Sequence, residues 1–64
     1  MKAQGYGILL ASRELAHDLY SGAPYFTRRR REAERELKGL SPWVAFGARV
    51  VRVEVDGNIF TVRL

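Results

Sequence analysis

The clearest structural signal in the sequence is RVVRVEVDGNIFTVRL at residues 49–64, where β-branched and charged residues alternate on both sides of Asp56-Gly57. Asp-Gly between such runs predicts a β-hairpin with a two-residue type I′ turn, because both central residues of that turn need a positive φ. A tip at Asp56-Gly57 sets these cross-strand pairs: Val55 with Asn58, Val53 with Phe60, Val51 with Val62, and Arg49 with Leu64.

This register gives the hairpin one apolar face and one mostly polar face. The apolar face carries Val51, Val53, Val55, Phe60, Val62 and Leu64. The polar face carries Val50, Arg52, Glu54, Ile59, Thr61 and Arg63. One more loop residue would pair Val53 with Thr61 and mix the two faces, so the alternation itself selects the register.

A helix is predicted to begin after Thr27, a favourable N-cap residue, and to end near Gly39. Ser41-Pro42 supports this end, because proline cannot continue a helix. Arg30 falls on the apolar side, where its long stem can reach solvent. That side is expected to pack on the apolar hairpin face, and it carries Phe26, Ala33, Leu37 and Leu40.

The other side of the predicted helix is basic. It carries Arg28, Arg31, Arg35 and Lys38, spaced i, i+3, i+7, i+10, with Arg29 nearby. Arg28–Arg31 crowd the first turn, where the helix macrodipole is positive and cations cost stability. We therefore predict that this side, with Tyr25 just before it, binds phosphates or carboxylates of a partner. The competing interpretation is a solvated face stabilised by ion pairs between Arg28 and Glu32, Arg30 and Glu34, and Glu34 and Lys38.

The N-terminal half supplies one more strand. Residues 2–11 alternate Tyr6, Ile8 and Leu10 with Gly5 and Gly7 between them, which predicts a strand whose glycine side lies close to another backbone.

Two shorter segments complete the predicted fold. Ser12 is expected to cap a short helix over 12–20, with Leu15, Leu19 and Tyr20 facing inward. Residues 43–46 are expected to extend the first hairpin strand, with Gly47 as a bulge. The predicted fold is thus a single α+β domain, residues 1–64. Its antiparallel sheet has three or four strands, with one main helix on one face and a C-terminal β-hairpin.

Size and composition narrow the function. A chain of 64 residues forms a small core, so a partner, either a target or a second copy, would add stability. With 0 Cys and 1 His there is no disulfide and no expected zinc site, and no cofactor motif is present. A formal net charge of +4 favours polyanions or acidic protein surfaces. No signal peptide or membrane-length apolar stretch is recognised, so a cytoplasmic location is expected.

An enzyme is not expected. His17 has Glu14 and Asp18 nearby in sequence, but the spacing supplies no nucleophile, metal set or phosphate-binding glycine loop. A small ribonuclease toxin is the alternative that keeps catalysis open. Its candidate residues are His17, Tyr20, Tyr25 and Arg63.

Direct nucleic-acid binding is a second alternative. The basic side would contact phosphates, and Tyr25 or Trp43 would stack on bases, although core packing is the more common role of such aromatic residues. No helix-turn-helix and no aromatic RNA-binding motif is evident, so binding is expected to follow the backbone rather than to read sequence.

The order of elements resembles that of very small phage and mobile-element proteins. An N-terminal strand is followed by a helix containing FTRRRREA at residues 26–33 and by a hairpin containing ARVVRVEVDG at residues 48–57. This layout is similar to that of β-α-β-β anti-CRISPR proteins that inhibit type I Cas complexes. The resemblance implies a non-enzymatic inhibitor of a nucleoprotein complex. Several such inhibitors are acidic mimics of DNA, whereas this chain is basic, so it would contact an acidic protein surface or nucleic acid instead.

Overall fold

A three-stranded antiparallel sheet organises the chain, in the order β1-β2-β3. The computed structural model describes residues 2–63. The elements along the chain are β1 (Lys2–Leu9), α1 (Arg30–Lys38), α2 (Pro42–Ala45), β2 (Arg49–Asp56) and β3 (Ile59–Arg63). The helix α1 contacts both β1 and β2. The predicted α+β class, with a main helix on the sheet and a C-terminal hairpin, is confirmed.

The turn of the hairpin lies one residue later than predicted. Asp56 pairs with Ile59, so the loop is Gly57-Asn58 and the predicted tip at Asp56-Gly57 is wrong. Only the first loop residue, Gly57, has a positive φ, of 62°. Type II′ turns place glycine at this position, and they leave Asp56 in ordinary strand geometry.

The pairs across the hairpin change accordingly, but its faces do not. Val53 pairs with Val62 and Val55 pairs with Phe60, instead of Val53 with Phe60. Moving the tip by one residue displaces each partner by two positions, which preserves the side of the sheet on which every residue lies. The predicted position of Leu64, opposite Arg49, lies outside the described residues.

The core lies mainly on the predicted apolar face of β2. Val53 is 1% exposed and Val51 is 8% exposed, whereas their neighbour Arg52 is exposed. From the helix, Ala33 is fully buried. Ile8 is fully buried too, and its register partner is Val50 on the other face of the sheet, so that face is also covered at this end.

The two glycines of β1 allow another backbone to approach, as predicted. A Cβ at Gly5 would overlap the carbonyl oxygen of Thr27 and lie 2.7 Å from the ring of Phe26. A Cβ at Gly7 would lie 3.0 Å from the carbonyl oxygen of Tyr25. The residues after Pro24 therefore run against β1, on the edge opposite β2.

The helix predicted over 12–20 is wrong, because this segment pairs with β1 instead. The amide of Ala16 donates to the carbonyl of Ile8 at 2.9 Å, and Leu15 forms an isolated bridge with Leu9. Leu19 and Tyr20, predicted to face inward, are 98% and 100% exposed. A helix this short gains little by itself, whereas the free edge of β1 offers hydrogen-bond partners. These isolated bridges extend the sheet at the edge of β1, but they do not make up a fourth strand.

The strand extension predicted for residues 43–46 is also wrong. Pro42 starts the short helix α2, which suits its fixed φ and its lack of an N–H donor. Gly47, with φ of 77°, lies in the turn that leads to β2. Trp43 and Phe46 are each 82% exposed, so neither aromatic ring belongs to the core.

Candidate anion-binding surface

The basic helix α1 begins three residues after Thr27, and its N-cap residue is Arg29 rather than Thr27. Two backbone hydrogen bonds with Tyr6, at 2.7 and 3.0 Å, hold Thr27 in an isolated bridge and prevent it from entering the helix. Its hydroxyl still organises the helix start. Thr27 Oγ1 donates to Glu32 Oε2 at 2.6 Å and accepts the amide of Arg29 at 3.3 Å.

Three cations lie on the outer side of α1. Arg31, Arg35 and Lys38 are all exposed, and so is Arg29 at the N-cap. Among residues 2–63, none of these four side chains forms an ion pair or a hydrogen bond. We name Arg31, Arg35 and Lys38 the basic stripe.

Most of the ion pairs that would neutralise the basic side of α1 from within the helix are not formed among the described residues. Arg30 Nε contacts Glu34 Oε1 at 3.1 Å, as predicted. Within the described part of the chain, Glu32 does not pair with Arg28 and Glu34 does not pair with Lys38, since Glu32 is held by Thr27 and Glu34 by Arg30. The basic stripe is thus left without carboxylate partners from this part of the chain.

Arg28 departs from the helix. It precedes the N-cap, so it does not continue the i, i+3, i+7 spacing of the basic stripe. Arg28 lines a concavity with Tyr6, Arg52 and Arg63, on the polar face of the sheet. The structure therefore divides the predicted binding residues between two neighbouring surfaces.

Tyr25 supports the start of α1. It is half-buried, and its hydroxyl donates to the carbonyl oxygen of Glu32 at 3.4 Å. Burial raises the pKa of Tyr25, and the carboxylates of Glu36, Glu32 and Asp18 raise it further. Tyr25 therefore keeps its proton at neutral pH, and its electrostatic neighbours are acidic rather than basic.

The residues named for a ribonuclease are dispersed along the chain. His17 bridges Pro24 at the base of an exposed loop, Tyr20 lies at the tip of that loop, and Arg63 ends β3. No hydrogen bond or ion pair within residues 2–63 joins these three side chains. Over the same range, no group of three or more His, Cys, Asp or Glu side chains is placed to hold a metal ion.

Sequence reasoning missed the concavity on the polar face. Its polar lining comes from Gln4, Tyr6, Arg28, Arg52 and Arg63. The alternation of the hairpin assigns Arg52 and Arg63 to one face. Tyr6 and Arg28 join them only through the register of β1 with β2 and the bridge between Tyr6 and Thr27.

Comparison with known proteins leaves function to be argued from this geometry. No protein family, no curated protein and no solved structure matches the chain. Within residues 2–63, no helix is long and apolar enough to cross a membrane.

Proposed function

We propose that the chain is a non-enzymatic binding protein that contacts the phosphate backbone of nucleic acid through the basic stripe of α1. The observation that carries this proposal is the exposure of Arg31, Arg35 and Lys38 on one side of α1, unpaired within the described residues. Exposed cations without intramolecular partners can exchange their counterions for phosphates, which is the main source of sequence-independent affinity.

The dimensions of the basic stripe fit a phosphate backbone. A helix rises about 1.5 Å per residue, so Arg31 and Lys38 are separated by about 10 Å along the axis. That length corresponds to roughly three base-pair steps along the axis of a duplex, at about 3.4 Å each. Arg28, just before the helix, adds a fourth cation near its start. Arginine also presents a planar fork of donors that matches phosphate oxygens.

Exposed aromatic side chains favour a partner with unpaired bases. Trp43 is 82% exposed, so the expected packing role does not apply and its ring is accessible for stacking. Stacking on aromatic side chains tolerates any base and contributes about 1–3 kcal/mol per base. Binding through phosphates and Trp43 would therefore follow single strands without reading their sequence.

The setting we propose is an inhibitor, from a phage or another mobile element, that acts on a nucleoprotein complex. The layout resemblance supports this setting, and the basic stripe would contact the nucleic acid of the complex. An acidic protein surface in the complex is the other anionic target. Co-precipitation with an assembled complex, before and after nuclease treatment, separates the two targets.

Reversing the charge of the basic stripe is expected to remove binding without harming the fold. For Arg31→Glu with Arg35→Glu, we expect affinity for a labelled oligonucleotide to fall at least about 100-fold, since two phosphate contacts become repulsive. Stability should change little, because the macrodipole favours a carboxylate at position 31 in the first helical turn and disfavours one at position 35 in the last turn, and the two effects are of similar size. Fluorescence anisotropy measures the affinity, and circular dichroism melts measure the stability.

The matched control is Arg13→Glu with Arg49→Glu. Both of these arginines are exposed, and they line a different concavity, with Leu9 and Val62. This pair changes the net charge by the same amount as the test pair. Equal losses of affinity in the two double variants would mean that only overall charge matters, and they would contradict a binding surface on α1.

A further inference from the structure

The polar face of the sheet contains a concavity of about 290 Å³ that is distinct from the basic stripe. Three arginines line it, Arg28, Arg52 and Arg63, together with the polar side chains of Gln4 and Tyr6. This volume is near the lower limit of small-molecule sites. It has room for a phosphate group with an attached sugar, but not for a folded segment of protein.

The register of the sheet brings these side chains together. Tyr6 pairs with Arg52, and Arg52 pairs with Arg63, so the three residues form one row across β1, β2 and β3. Directly paired residues have Cα atoms about 4.5–5.5 Å apart and point to the same face. On the far edge of β1, Thr27 pairs with Tyr6, which places Arg28 at the other end of the row.

This arrangement has an electrostatic cost in the absence of an anion. Like charges directly opposite each other destabilise a sheet, and Arg52 and Arg63 are such a pair. Arg63 Nη1 lies 3.9 Å from Glu54 Oε1, but Glu54 is shared with Lys2, whose Nζ is 3.7 Å from Oε2. Among residues 2–63, Arg28 and Arg52 pair with no carboxylate. The concavity therefore concentrates positive charge that the described part of the chain only partly balances.

We propose that this concavity binds a single phosphate group, carried by a nucleotide or by the end of a nucleic-acid strand. Arg52 and Arg63 approach the phosphate from one side and Arg28 from the other. Each arginine can donate two parallel hydrogen bonds to phosphate oxygens, which is the strongest common geometry for this recognition. The Tyr6 hydroxyl and the Gln4 amide supply neutral donors. The site shares no residue with the basic stripe itself, and Arg28 is the one cation that both proposals use.

The test is ¹⁵N NMR of the whole chain, observing the Nε–H signals of the arginines during titration with inorganic phosphate, with a nucleoside monophosphate, and with an oligonucleotide. The oligonucleotide is used with and without a 5′-phosphate. We expect the signals of Arg28, Arg52 and Arg63 to shift and saturate with phosphate, while those of Arg31 and Arg35 move little. Stronger binding of the monophosphate identifies a nucleotide as the source. A gain that requires the 5′-phosphate on the oligonucleotide identifies a strand end.

The phosphate affinities of two double variants test the location of the site without relying on chemical shifts. Arg52→Gln with Arg63→Gln should weaken phosphate binding by about tenfold for each arginine removed, because a hydrogen bond to a charged group contributes about 1.5 kcal/mol or more. Arg31→Gln with Arg35→Gln should leave phosphate binding unchanged but weaken the binding of unphosphorylated oligonucleotides, which separates failure of this site from failure of the basic stripe. Shifts that never saturate, or that are equal at all five arginines in the unmodified chain, would overturn the proposal.

Discussion

Gly5→Ala is expected to remove most of the stability of the domain. The new Cβ would overlap the carbonyl oxygen of Thr27 and lie within 3 Å of the ring of Phe26. Thr27 cannot move away, because it exchanges two hydrogen bonds with Tyr6, at 2.7 and 3.0 Å. Overpacking typically costs about 1–3 kcal/mol when side chains can adjust, and here the obstacle is backbone. A core this small supplies only about 3–5 kcal/mol in total. A urea titration followed by circular dichroism should find the variant largely unfolded without denaturant.

Gly39→Ala is the control for this prediction. Gly39 has φ of −83°, and a Cβ there would meet nothing closer than 3.5 Å, the carbonyl oxygen of Glu36. Alanine fits that backbone and lowers the entropy of the unfolded chain, so stability should stay the same or rise by about 0.5 kcal/mol. If both variants unfold at the same urea concentration, the close approach of residues 25–27 to β1 is wrong.

Val53→Asp is expected to unfold the domain, whereas Arg52→Asp, at the adjacent position, is not. Val53 is 1% exposed and faces the core between Gly5 and Val62. An unpaired carboxylate buried there would cost several kcal/mol, which is comparable to the whole stability of the domain. The side chain of Arg52 lies on the opposite face, and replacing it with aspartate removes the like-charge pair with Arg63.

Circular dichroism melts distinguish the two variants. Val53→Asp should show no cooperative transition, and Arg52→Asp should melt at or above the temperature of the unmodified chain. Similar damage from both substitutions would show that the two faces of the hairpin are assigned incorrectly.

Local sequence patterns predicted the features that depend on which residues alternate to the same face of a strand. The alternation of valine with charged residues in β2 fixed which side chains face the core. This prediction holds although the turn was placed one residue too early, because moving the tip by one residue leaves every side chain on the same face of the sheet. Gly5 and Gly7 predicted a close backbone approach for the same reason, since both lie on one side of β1.

Features that depend on pairing between distant segments could not be predicted in this way. Thr27 has the side chain of an N-cap, but its bridge to Tyr6 holds it extended, so the helix starts later. Residues 12–20 contain a capping serine and apolar residues, yet the edge of β1 offers Ala16 a hydrogen bond that an isolated short helix cannot match.

The same distinction between local patterns and long-range pairing applies to the candidate binding surfaces. The basic stripe is a local pattern with helical spacing. The sequence therefore places its three residues, Arg31, Arg35 and Lys38, on one side of a helix, as the structure does. The concavity on the polar face could not be predicted in this way, because it forms only through the register of three strands. It also includes Arg28, a loop residue that the helical spacing had assigned to the helix. Beyond the candidacy of Arg63 for a ribonuclease, Arg52 and Arg63 carry no signal of a shared site in the sequence, because a charged residue on an outer strand face is usually solvated.

The measurement that most directly tests phosphate-backbone binding is fluorescence anisotropy with labelled single- and double-stranded DNA and RNA, titrated over a range of salt concentrations. The basic stripe with Arg28 predicts binding to all of them, without regard to sequence. It also predicts an association constant that falls with salt at a log–log slope of about −3 for duplexes and about −2 to −3 for single strands, as three to four neutralised phosphates require. Absence of binding at about 0.05 M salt, or an affinity that does not depend on salt, would contradict phosphate contact and point to a protein surface as the partner.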